Sequence, residues 1–261
     1  TISNNHNGGN FGGGIMNDLA GSLTVTNTTI SGNSAGAGAG IYSDGTLTLT
    51  NSTITGNTAT VVDANGVSGS GGGLLAARTT TISNCIFSGN TASNDGGGLI
   101  VILSANVKVI NCAFSGNTAQ DGGGISGAVN NNPGYTGVTT IINSTISGNS
   151  SGIKLGGNGT THFRNSIVAN STGADCNRLG GTINAQYDLI EAGLTCVNGT
   201  NSNNLTGDPA LNGDLTLSST SPAINVGSNA LALDANNNAL TTDLAGNTRI
   251  RGGTVDMGAY E

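Results

Sequence analysis

Apolar residues alternate with Thr, Ser and charged residues in short runs that recur along the whole chain. Val25, Leu49, Ile82, Val109, Ile141 and Phe163 each stand two places before an Asn, and Leu23, Leu47, Thr80, Val107, Thr139 and Thr161 two places earlier still. Period-two alternation predicts a β-strand in each unit with one face turned inward. A second inward set lies three places after the same Asn: Ile30, Ile54, Phe87, Phe114, Ile146 and Val168 or its neighbour. A third follows a glycine block: Ile15, Ile41, Leu74, Leu99, Ile125 and Ile153. Three inward clusters per unit predict three short strands per coil.

The units share a motif. It reads NTTISGN at 27–33, NSTITGN at 51–57, NCIFSGN at 84–90, NCAFSGN at 111–117 and NSTISGN at 143–149, with a truncated copy, TISNN, at Thr1 and a looser one, NSIVAN, at 165–170. Self-similarity at this period marks a solenoid, and a coil of about 22 to 27 residues with three strands describes a parallel β-helix. The expected architecture is all-β: a right-handed parallel β-helix of about seven to eight coils with an irregular C-terminal closing segment. Residues 1–170 supply the regular coils, and 171–261 the last coils and closing segment of the same domain. Two longer steps contain extra segments, 61–70 and 129–137, which read as loops on one side of the stack.

Stacking would align the repeated Asn residues. Asn27, Asn51, Asn84, Asn111, Asn143 and Asn165 share one position, and Asn33, Asn57, Asn90, Asn117, Asn149 and Asn170 another. A buried amide without a partner costs about 2–7 kcal/mol, whereas a column of amides can donate and accept along the stack. These residues are therefore expected to be structural.

Composition excludes several classes. Only 8% of the residues are charged and 3% aromatic, yet 35% are hydrophobic, which argues against ordinary disorder. The 45 glycines follow no three-residue period and there are only three prolines, so the chain is not collagen. Net charge is −7, and no Lys/Arg cluster offers a nucleic-acid footprint. No apolar run is long enough to span a bilayer. Because Thr1 opens inside a repeat, we expect a processed or excerpted part of a longer protein, with an open first coil that invites end-to-end pairing with another copy.

After Asn170 the repeat decays into DPALNGDLTLSSTSPAINVGSN (208–229) and DLAGNTRIRGGTVDMGAYE (243–261). This ending resembles that of bacterial surface β-helix proteins of the choice-of-anchor type. The upstream GGGI, GGGL and FSGN strings are similar to the GGA(I/L/V) and FxxN repeats of chlamydial polymorphic membrane proteins. The resemblance implies an exported, extracellular or cell-surface bacterial protein with a structural or adhesive role. Its implied partners are cell-surface glycans or proteins, or copies of itself.

Cysteine placement accords with export. Cys176 and Cys196 bracket a polar segment and are expected to form a disulfide; Cys85 and Cys112 share a repeat position, either as stacked free thiols or as a second bridge. A glycan-active enzyme would need paired carboxylates, or a carboxylate–calcium site beside a basic residue. The acids are scattered, apart from Asp95 and Asp121, which both precede a glycine block and are the calcium candidates; no other cofactor is indicated. Arg249 and Arg251 are expected to pair with Asp243 and Asp256 and close the last coil. The expected function is a structural or adhesive surface module rather than an enzyme. The alternatives are a polysaccharide lyase or hydrolase and a glycan- or ice-binding module; an ice-binding face would start from Thr24/Thr26 and Thr48/Thr50.

Overall fold

A computed structural model describes residues 1–60, 69–127 and 134–261. Every strand pairing in it is parallel, between one coil and the next. An eight-stranded sheet runs from Ser22–Thr26 through Thr46–Thr50, Thr80–Ser83, Asn106–Ile110, Val138–Ile142 and Thr160–Arg164 to Thr182–Gln186 and Asn201–Ser202. A second eight-stranded sheet starts at Ile2–Ser3 and Thr29–Ser31 and ends at Leu189–Ile190; a seven-stranded one runs from Ile15–Asn17 to Cys176–Arg178. This is the parallel β-helix that the alternation predicts.

The predicted columns are the core. Val25, Leu49, Ile82, Val109, Ile141 and Phe163 stand in register in successive coils. All are 7% exposed or less. Phe87 and Phe114 stack ring on ring, 4.6 Å apart and 5° from parallel. Each such side chain removes about 1.5–3 kcal/mol worth of apolar surface from water, so a chain with few aromatics still builds a continuous core.

One feature departs from the expectation of three strands per coil. A fourth, four-stranded sheet pairs His6–Phe11, Ser34–Ala37, Thr58–Ala59 and Thr91–Ala92. Its inward residues are alanines (Ala35, Ala59, Ala92), which is why hydrophobicity did not reveal it. The coils continue past Asn170 through Cys176–Arg178, Thr182–Gln186 and Asn201–Ser202. The predicted loops at 61–70 and 129–137 lie largely outside the described residues.

The glycine blocks are explained by the approach of neighbouring coils. A Cβ on Gly98 would lie 2.6 Å from the Gly124 carbonyl oxygen and 2.8 Å from Phe114. Gly73, one coil earlier, meets the Gly98 carbonyl in the same way. Backbone and core ring occupy the space, so only glycine fits.

Candidate functional site

Three polar columns run along the rod, and they do different work. The continuous one is Asn5, Asn33, Asn57, Asn90, Asn117 and Asn149. Each Nδ2 donates to the next Oδ1 at 2.9–3.0 Å. From Asn33 onward, the second amide hydrogen goes to a carbonyl of the preceding coil. Each Oδ1 from Asn33 on also accepts the backbone N–H of the previous ladder Asn. The buried amides are thus fully paired. Asn170 does not continue this column. It stands at φ 55°, where the other coils carry Gly32, Gly56, Gly89, Gly116 and Gly148 at φ 61–68°. It is therefore a turn residue in a shortened coil.

The second column is Asn27, Asn51, Asn84, Asn111, Asn143 and Asn165. All six sit at φ 43–54°, the left-handed region that Asn tolerates better than most residues. Their mutual hydrogen bonds are partial: Asn84 to Asn51 (3.1 Å), Asn111 to Asn84 (2.7 Å) and Asn165 to Asn143 (3.3 Å). Their main partners lie elsewhere. Residues 208–261 fold back along the side of the rod, over Asn111, Asn143 and Asn165 of this column. Asn165 Nδ2 donates to Ser228 O at 2.9 Å, and its Oδ1 accepts the Ser228 N–H at 2.7 Å. Asn143 Nδ2 donates to Asp256 O, and Asn111 Nδ2 to Thr242 O. Lys108, outward on the neighbouring strand, donates to Ala235 O at 3.0 Å.

Arg249 fastens this tail, and its role differs from the expected ion pairs with Asp243 and Asp256. Its side chain is fully buried. Its guanidinium donates to the carbonyls of Asp256, Gly258 and Ala259 and lies 3.8 Å from a Glu261 carboxylate oxygen. Burial lowers its pKa to about 10. Arg251 instead donates its backbone N–H to Glu261.

The tail stops short of the first coils. Asn27 and Asn51 are exposed and Asn84 is half-buried, whereas Asn111, Asn143 and Asn165 are buried. The open part of the column lines a groove of about 460 Å³, bounded at its far side by 244–246 of the tail. Beside it, Thr24, Thr48 and Thr81 stand in register on the outer face, followed by Lys108, Thr140 and His162. Burial, and then the charge of Arg164, lowers the pKa of His162.

The third column contains the free cysteines. Cys85 N–H donates to Cys112 Sγ, Cys112 N–H to Ser144 Oγ, Ser144 N–H to Ser166 Oγ, and Ser166 N–H to Asp188 Oδ1. Each of these thiols and hydroxyls donates back to the carbonyl two residues earlier. Cys85 and Cys112 are therefore sulfur versions of a serine ladder position, buried and unbridged. Burial, with Cys85 beside it, holds the Cys112 thiol well above its usual pKa. The Asp188 carboxyl is likewise pushed well above the usual range by burial. Cys176 and Cys196 form the disulfide.

Asp95 and Asp121 do stack in adjacent coils. The cation that faces them is a side chain that sequence reading did not place there: Lys154. Its Nζ lies 2.6 Å from Asp95 Oδ1 and 3.3 Å from Asp121 Oδ2. Lys154 pairs with Ser126 on the neighbouring strand and reaches past it to Asp95, a contact between residues 59 apart. Among the described residues no group of three or more His, Cys, Asp or Glu side chains gathers as metal ligands. Among them, too, no helix is long and apolar enough to cross a membrane.

A family model described as right handed beta helix region matches residues 1–208. No curated protein and no solved structure matches the chain.

Proposed function

The chain belongs to the right-handed β-helix family, and from that premise we propose an exported structural or adhesive module that binds neutral polar ligands along the open Asn column. One observation carries this reading. The amides of Asn111, Asn143 and Asn165 already hold three separate points of the folded-back tail through backbone carbonyl oxygens, while the equivalent amides of Asn27 and Asn51 face solvent in a groove. A surface of this kind suits hydroxyl- and carbonyl-rich partners, such as cell-surface glycans. The Cys176–Cys196 disulfide supports an oxidising destination. The burial of Lys154 and Asp95 weighs against the lyase reading, because a polymer chain cannot reach side chains that are 3% and 2% exposed.

The test is binding to a panel of neutral and acidic glycans, comparing the wild type with an Asn27→Gly/Asn51→Gly double variant. Gly keeps the left-handed backbone and removes only the amides. The expected result is retention by neutral glycans that falls at least about tenfold in the variant, the equivalent of about 1.4 kcal/mol. Equal retention by both proteins, or turnover of pectin or alginate, would overturn the proposal.

A further inference from the structure

Lys154, Asp95 and Asp121 form a charged cluster that neither the apolar core nor the groove uses. Lys154 is 3% exposed and the Asp95 side chain 2%, so amine and carboxyl meet where water is excluded. Asp121 is 43% exposed, and one of its oxygens lies 3.3 Å from the same Nζ. The Ser126 hydroxyl donates to Asp95 Oδ1 at 3.4 Å and orients that carboxylate. A pocket of about 170 Å³, lined in part by Asp121, Ser150, Ser151 and Lys154, connects the cluster to solvent.

We propose that Lys154 and Asp95 condense to an intramolecular isopeptide bond, with Asp121 carrying the protons. The reaction balances without a co-reactant. Asp121 takes a proton from the Lys154 ammonium, and the free amine attacks Cγ of Asp95. The N–Cγ bond forms as one Cγ–O bond breaks. Two of the ammonium hydrogens leave with the departing oxygen as one water, which exits through the pocket beside Asp121. Nothing is oxidised or reduced. A desolvated ion pair is the ground state that favours this step. Nζ and the Asp95 carboxyl are already in contact at 2.6 Å, so no encounter has to be organised, and the exclusion of water opposes hydrolysis of the amide. The product would clamp three coils together, tying the coil of Asp95 to that of Lys154 across the coil of Asp121.

Mass spectrometry of the full chain decides the matter. After reduction of the disulfide, the intact protein is expected to be lighter than its sequence by one water. A tryptic digest is expected to contain residues 79–108 joined to 109–164, with no cleavage after Lys154. Asp121→Asn should retain the fold and accumulate the linked form at least about tenfold more slowly; Lys154→Arg should abolish it. An intact mass equal to that of the sequence overturns the proposal, as does a water loss confined to a single peptide. Linkage in Asp121→Asn at the wild-type rate overturns the role of Asp121.

Discussion

The Asn ladder can be tested at one rung. Replacing Asn90 by Leu keeps the approximate shape of the side chain and deletes its polar atoms. Four hydrogen bonds vanish: two accepted from Asn57, through its backbone N–H and Nδ2, and two donated, to Asn117 Oδ1 and to Ile54 O. The losses are unequal. Asn57 Nδ2 keeps its bond to Ile30 O, and Asn117 Oδ1 keeps the Asn90 backbone N–H. The Asn57 N–H is the group left without its ladder acceptor in a buried site, at about 1–3 kcal/mol, and the three other bonds contribute about 0.5–1.5 kcal/mol each. The sum is a loss of roughly 2.5–7.5 kcal/mol. Asn51→Gly is the control, since that amide is exposed and its one bond to another rung is accepted from Asn84. It should cost about 1 kcal/mol or less. Urea unfolding followed by circular dichroism compares the midpoints at a shared slope. A cost below about 1 kcal/mol for Asn90→Leu, or equal costs for the two variants, would refute the ladder as a source of stability.

Gly98→Ala should destabilise by more than about 2 kcal/mol or prevent folding, because its Cβ would meet the Gly124 carbonyl and the Phe114 ring; a thermal melt unchanged from wild type refutes the close-packed coil. Reducing the Cys176–Cys196 bridge, which closes a sequence separation of 20 residues, should lower stability by roughly 3 kcal/mol, read from urea midpoints with and without reductant. Asp188 has a folded pKa well above its unfolded one, because burial disfavours its charge. The folded state therefore binds the proton more tightly, and this group's contribution falls as pH rises from the ordinary carboxylate range through the raised folded value. Asp256 and Glu261 act in the same direction. Asp188→Asn should flatten that decline, and an unchanged pH profile of the urea midpoint would reject the assignment.

Much of the molecule is legible in one dimension because a coil repeats its contacts locally. Every inward residue meets its own equivalent one coil away, so period-two alternation at a constant spacing specifies core, strand faces and register together. Val25, Leu49 and Ile82 needed no tertiary information to be placed in one column. The alanine sheet was hidden because Ala35, Ala59 and Ala92 give almost no hydrophobic contrast. Asn170 carries the ladder's residue type, and only the backbone reveals that it holds a glycine turn position.

Contacts that leave the repeat were decided in three dimensions. The sequence does not show that Arg249 would be buried against Asn111, or that the tail would cover Asn165 and leave Asn27 bare. Nor does it place Lys154 against Asp95, since strand spacing lets a long side chain cross an intervening coil at Ser126. The repeat determined the rod, because its hydrogen bonds and apolar columns are the same in each coil. The tertiary structure decided which of the identical amides are used internally and which face outward, because that depends on where one non-repeating segment lies.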